Sequence, residues 1–395
     1  MQTKWIVLLC LLAVLAAGGY LRFSGINWDE NFHLHPDERF LTMVETSIAT
    51  VGSIREYFDT HNSTLNPHNV IDASGNATFP FFVYGTFPIF LVRYVGEFLG
   101  QTGYSQIHIV GRYLSGIFDL GTILMVYLIA KELFGSRWTG VLSAAFYSFA
   151  ALPIQISHFF IVDNFTTFFT TAAIFFAARI MQCEKKHLQP AETGSRHHYL
   201  LGNWVGFLRY AAFALMLGLA TASKLNAVVA AFVLPLGLLL AYTGRKITLD
   251  SPRFHIQLRN LVMAGLLSFV FFRIFQPYAF SGPGFFNFGL NEKWLRNLTE
   301  LRALSSGLSN YPPSLQWTRR SMLFPIQNMV FWGMGIAFGI TSFMGIFVMA
   351  VQAVRGKINN TALLLAWNAL YILWQAVSWN PRSEEHTSEL QSRIT

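Results

Sequence analysis

KWIVLLCLLAVLAAGGY, residues 4–20, carries one charge, and that charge is its first residue, Lys4. An apolar run of this length is about the shortest helix that crosses a bilayer. Similar runs recur at 107–130, 138–152, 164–181, 204–222, 225–242, 261–280, 329–354 and 361–378. The 395 residues are 53% hydrophobic and 12% charged, with 38 Phe. Mean hydropathy is +0.41. A soluble domain carries about 25% charged residues, so half that share cannot clothe a water-soluble globule of this size. The runs lack the strict alternation of barrel strands. The expected fold is an all-α polytopic membrane protein with about nine transmembrane helices.

Charge bias orients the helices. The loops expected on one side carry Lys131 and Arg137; Lys185, Lys186 and Arg196; Arg245, Lys246, Arg253 and Arg259; Arg355 and Lys357. Basic short loops face the cytosol, which puts the N-terminus in the cytosol. Ala16-Ala17-Gly18 has the small residues of a signal-peptidase site, but the many later spans favour a retained first helix. The net charge of +8 is explained by those loops. No basic run interleaves with aromatics, so nucleic acid is not an expected partner. Cys10 and Cys183 lie too far apart in this topology to pair.

The long outer loop, residues 21–106, holds an apolar piece at 79–99. Pro80, Pro88, Arg93 and Glu97 within it favour helices lying at the interface over another span. No internal repeat or Gly/Ser linker divides the chain, so residues 1–381 read as one membrane domain. After Pro381 the composition changes abruptly to RSEEHTSELQSRIT. That string resembles an in-frame translation of a sequencing adapter, and residues 382–395 are expected to be a non-native tail.

The loop also contains Phe32-His33-Leu34-His35-Pro36-Asp37-Glu38-Arg39-Phe40. A carboxylate at the outer face can take the proton of an acceptor hydroxyl while a sugar leaves a phosphate. Asp37-Glu38 is the first candidate and Asp29-Glu30 the alternative acid pair, although acids in loops are most often simply solvated. His33, His35 and Asp37 alternate, and on an extended segment alternate side chains share a face. They are thus candidate ligands for a divalent metal, the one cofactor these residues admit. Asp163 and His158 fall in a turn on the same side, where Asp163 can also cap a helix starting at Asn164. Lys224 is the lone charge between two apolar runs, on the side that the charge bias leaves poor in cations. It suits an anionic phosphate, or snorkels to the interface. Arg112 has the same two uses. Arg319 and Arg320 suit anionic lipid headgroups.

These positions in this order resemble the GT-C glycosyltransferases that use polyprenyl-phosphate sugars, in particular the protein O-mannosyltransferase and aminoarabinose-transferase group. The matching elements are the acidic pair after the first helix, Gly111-Arg112-Tyr113-Leu114-Ser115 leading to Lys131-Glu132-Leu133-Phe134-Gly135, His158 to Asp163, and Gly218-Leu219-Ala220 with Ser223-Lys224. The resemblance implies a membrane glycosyltransferase in the plasma (inner) membrane. It implies Asp37 as general base, with Glu38 and Asp163 as companion acids and Arg112, Lys224 and His158 near the donor phosphate. The implied partners are a polyprenyl-phosphate sugar, a lipid or protein acceptor, and membrane lipids. A family segment with Arg-Tyr and Pro is expected just beyond Trp379-Asn380-Pro381. The competing class is a transporter or flippase of lipid-linked saccharide. That class places its charges near mid-membrane on paired repeats, whereas the charges here gather at one face.

Overall fold

The structure, a computed structural model, describes residues 2–188, 198–244, 247, 249–305 and 323–378. The expected tail and Arg319-Arg320 lie outside these residues. The first helix, α1 (Gln2–Phe23), leads into a loop that carries α2 (Pro36–Ser47), α3 (Ile54–Tyr57) and α4 (Thr86–Leu99). Then come α5 (Tyr104–Phe134), α6 (Arg137–Ser148), α7 (Ala151–Ser157), α8 (Asp163–His187) and α9 (His198–Ser223). A 3-10 stretch, Leu225–Phe232, continues into α10 (Val233–Ala241). The chain goes on through α11 (Pro252–Phe275), α12 (Glu292–Ser305), α13 (Phe324–Asn328), α14 (Ile336–Val354) and α15 (Ala362–Ser378).

Each of the nine apolar runs falls on helix. Among the described residues, five helices are long and apolar enough to cross a membrane, and six if α6 and α7, bent by 61° at their break, form one span. The chain is a multi-pass integral membrane protein. Two boundaries differ from the hydropathy. Helix α11 starts at Pro252 because the Ser251 hydroxyl accepts from the Phe254 N–H and Pro252 occupies the first turn. It ends at Phe275 because Pro277 cannot donate a helical hydrogen bond. The 329–354 run is broken at Gly335, whose φ of 82° is left-handed, so a π turn at Met329–Gly333 precedes α14. The helical part of 79–99 is short. Helix α4 has 14 residues, about 21 Å at 1.5 Å per residue, against a hydrocarbon core of about 30 Å.

Helix α8 is the hub: it packs on α5, α9 and α10. Its inward face is Ala172, Ala173, Ala177 and Ala178, all buried, and small residues let membrane helices approach closely. A second core, at the end carrying the outer loop, joins Leu41 and Val44 of α2, Ile89 and Val92 of α4, Ile107 of α5, and Phe160 and Phe165 around the start of α8. The loop is therefore a packed cap on the bundle.

A buried ion pair ties α1 to its neighbours. Arg22 Nε donates to Asp119 Oδ2 at 2.5 Å, and both side chains are sealed from solvent. Tyr147 of α6 donates to the other Asp119 oxygen at 2.6 Å, while Arg22 Nη1 donates to the Gly18 and Ser148 carbonyls. Removing one partner strands a buried charge. Asp119→Ala is expected to lower stability by about 3–5 kcal/mol, read as a lower thermal unfolding midpoint in detergent. An unchanged midpoint would show that Arg22 finds other partners.

Candidate active site

Helix α2 begins where the acidic pair sits. His35 is its N-cap, with Nδ1 accepting from the Glu38 N–H at 3.4 Å, and Pro36 opens the first turn. Asp37 and Glu38 then lie where the helix dipole favours negative charge. Neighbours on a helix point about 100° apart, so the two carboxylates part company. Glu38 is fully buried and Asp37 is exposed.

Glu38 faces Arg112. Its Oε1 accepts from Arg112 Nε at 2.8 Å and from the Phe160 N–H at 2.7 Å, and its Oε2 accepts from Nη2 at 2.6 Å. Asp29 takes the rest of the guanidinium: Nη1 donates to Oδ1 at 3.0 Å and Nη2 to Oδ2 at 2.9 Å. Arg112 Nη1 also donates to the Ile26 carbonyl. All five N–H groups of a guanidinium are thereby used, with the Trp28 ring 5.6 Å away. Burial pushes the Asp29 carboxyl up, but the hydrogen bonds and charge of Arg112 outweigh it and hold Asp29 below the usual carboxylate range. Arg112, Glu38 and Asp29 are therefore a lock joining α5 to the loop. Arg112, expected near the donor phosphate, and Glu38 and Asp29, expected as a companion and an alternative acid, are thus paired with one another and not open to solvent. Glu30 is exposed, in a turn with φ 49°.

The alternation of His33, His35 and Asp37 does not survive folding, because Pro36 starts a helix and His33 is left-handed, φ 51°. The buried His33 ring lies 4.2 Å from the rings of Tyr104 and His108. His35 stacks on Phe159 at 4.4 Å. Among the described residues, no three His, Cys, Asp or Glu side chains are grouped to hold a metal. The proposed ligand set does not fit one. His158 is also engaged: its Nδ1 lies 2.8 Å from the Ile154 carbonyl and its Nε2 lies 2.9 Å from that of Ser24.

What remains open is Asp37, Asp163 and Lys224. Helix α8 starts at Asp163 itself, with Val162 as the cap and no side-chain capping bond, so Asp163 does not cap a helix beginning at Asn164. Instead its Oδ1 accepts from Lys224 Nζ at 2.8 Å, and both side chains are 42% exposed. Tyr84, which no sequence motif marks, stands between the acids. Burial, and then the charges of Asp37 and Asp163, push its hydroxyl up. Beside Asp163 and Lys224 opens a cavity of about 210 Å³, lined along α8 by Thr166, Thr167 and Thr170 and across from it by Trp367 and Tyr371. Its mixed lining of charged, hydroxyl and aromatic side chains suits an amphipathic ligand.

One buried acid in α2 stands apart. Burial pushes the Glu45 carboxyl well above the usual range, with Arg93 pulling the other way, and neither oxygen has a hydrogen-bond partner. An acid raised in the folded state contributes its full stability below its ordinary value of 4.5. That contribution is lost as pH rises through the folded value. Glu45→Gln should therefore gain on the wild type in thermal midpoint as pH rises from 4.5 towards neutral. A difference constant with pH would contradict the burial of an ionisable group here.

Comparison with known proteins agrees with this architecture. Residues 98–276 match the family model for dolichyl-phosphate-mannose-protein mannosyltransferase. No curated protein matches by sequence. The Archaeoglobus fulgidus oligosaccharyltransferase, solved with Zn and sulfate, is similar at 15% identity and TM-score 0.54 over 98% of this chain and 50% of its own. The archaeal oligosaccharyltransferase AglB from Archaeoglobus fulgidus, solved with an inhibitory peptide and a dolichol-phosphate, is similar at 16% identity and TM-score 0.52, over 96% and 49%. The Saccharomyces cerevisiae protein O-mannosyltransferase Pmt1-Pmt2 complex, bound to the sugar donor, gives 16% identity and TM-score 0.47 over 70% and 35%. The chain spans about half the length of the archaeal structures and about a third of the yeast one. The expected GT-C-like, all-α membrane fold is borne out.

Proposed function

We propose that this chain, a membrane protein with the GT-C glycosyltransferase fold, transfers a sugar from a polyprenyl-phosphate donor to an acceptor hydroxyl at the extracytoplasmic face. The acceptor is a lipid or protein, and the chain sits in the plasma membrane with its N-terminus in the cytosol. The family match over residues 98–276 supports the donor class. The observation that carries the site is the separation of the acidic pair: Glu38 is consumed by Arg112, which leaves Asp37 exposed on a fixed helix end.

In the proposed reaction, the acceptor oxygen attacks the anomeric carbon and gives its proton to Asp37. The bond from that carbon to the phosphate oxygen breaks, and the phosphate leaves on the polyprenol. Lys224 offers its ammonium to the phosphate. Asp163 holds that ammonium through one N–H, leaving two donors free. The 210 Å³ cavity receives the first isoprene units of the donor.

Asp37→Asn keeps the size of the side chain and removes the base. In the full-length protein it should cut transfer by about 10²–10⁴-fold with the thermal midpoint unchanged. Glu38→Gln should instead lower the midpoint, because it weakens the buried lock. Should Asp37→Asn keep its activity while Asp29→Asn, still folded, loses it, the base has been assigned to the wrong carboxylate. Lys224→Met should mainly raise the KM for the donor, and an unaltered KM would move the phosphate elsewhere.

A further inference from the structure

A second cavity, of about 620 Å³, opens at the far end of the bundle, and sugar transfer does not use it. Phe134 in its wall lies 22 residues beyond Arg112 on α5, and Lys185 beside it lies 22 residues beyond Asp163 on α8. Each step is about 33 Å along a helix, so roughly the whole hydrocarbon core separates this cavity from the candidate active site. The volume falls among the clefts of about 300–1,000 Å³ that hold small ligands. Its wall is apolar where α5 faces α14: Leu133, Phe134, Met344, Val348 and Met349. Gly345 shares that wall, and a Cβ added there would meet no neighbouring atom within 4 Å. Phe134, Met344 and Val348 are half exposed or more, so the space opens sideways, towards lipid. Its rim is polar, made by Gln352 at the end of α14 and by Asn359, Asn360 and Thr361 before α15. Asn359 Oδ1 accepts from the Thr361 N–H at 2.9 Å, which fixes that turn. Lys185 reaches the rim from α8 and donates to Asn360 Oδ1 at 3.0 Å. Arg355 and Lys357 stand exposed on the turn that joins α14 to α15. Glu132, next to Leu133 in the chain, is bound by Arg179 at 2.8 Å and does not cancel these cations.

We propose that this cavity binds one anionic phospholipid, with an acyl chain lying along α14 and the phosphate at the rim formed by Lys185, Arg355 and Lys357. An apolar space open to a bilayer is filled by lipid tails; what the rim adds is selection by headgroup. A basic pocket between membrane helices on the cytosolic side is the arrangement that takes anionic headgroups, and the charge bias of the loops assigns this end of the bundle to that side. The bound lipid bridges α5 and α14 across the space between them. The site is distinct from the donor cavity at Asp163 and Lys224 and does not depend on which carboxylate is the base.

The test uses the full-length protein, stripped of lipid in detergent and then given phosphatidylglycerol or phosphatidylcholine with the same acyl chains. Native mass spectrometry counts the lipids retained. One phosphatidylglycerol should be held with about tenfold preference over phosphatidylcholine, and it should raise the thermal midpoint. Arg355→Gln and Lys357→Gln, both at exposed positions, should each weaken its retention about fivefold and leave the lipid-free midpoint unchanged. Gly345→Leu, which puts a side chain into the space, should block retention of both lipids. Equal retention of the two lipids, or retention that neither rim variant weakens, overturns the proposal, and the rim variants decide even if Gly345→Leu fails to fold. Wild-type retention by a folded Gly345→Leu overturns it as well. So does a full-length protein that holds no lipid, since the space is then filled by other parts of the chain or by a second copy.

Discussion

One guanidinium, buried inside the end of a membrane helix, holds the outer loop to the bundle. Arg112 of α5 binds Asp29 and Glu38, which lie 83 and 74 residues earlier in the chain. The group of three is sealed from solvent. Such a cluster adds little net stability, because desolvating three charges offsets their attraction. Its effect is geometric. Five directed hydrogen bonds leave Arg112 one orientation, and through Glu38 they leave α2 one rotation about its axis. That rotation decides that Asp37, and not its neighbour, faces the open side. Two adjacent acids thereby acquire opposite surroundings, one sealed and one exposed.

The other half of the site is built from turns between long helices. Lys224 follows directly on the end of α9, and Asp163 opens α8. Because α8 and α9 pack along each other, their ends at this face are neighbours, and the ion pair joins them at 2.8 Å. The partial exposure of both groups matters. A fully buried pair would be unavailable to a ligand, and a fully solvated one would be worth little.

Much of this was legible in the residues. All nine apolar runs fell on helix, some broken into two pieces, since burying backbone polar groups in hydrocarbon leaves helix as the default. Asp37 stood out by its place in the loop after the first helix, and Asp163 and Lys224 as charges in turns between apolar runs; of the three, Asp163 and Lys224 line the cavity. What the residues did not show has one cause, which is that pairing across the chain cannot be seen locally. Arg112 looked like a free cation because its acids are so far upstream. His33, Leu34 and His35 looked like an extended metal-binding run because the left-handed turn before Pro36 has no glycine to announce it. Tyr84 was silent because an aromatic residue in a loop full of aromatics carries no pattern.

The sequence separations within the site also impose an order of assembly. A chain grows at about 5–20 residues per second, so Asp29 waits roughly 4–17 s before Arg112 exists. Thr86 must wait for Gln276, 190 residues later, before its last anchor is in place. During that interval the loop has its acids unpaired and Phe79, Phe82 and Ile89 uncovered. The outer cap is thus a late product of biogenesis. Whatever shields its aromatic face until α11 is inserted takes part in making the protein, as much as any residue of the finished site.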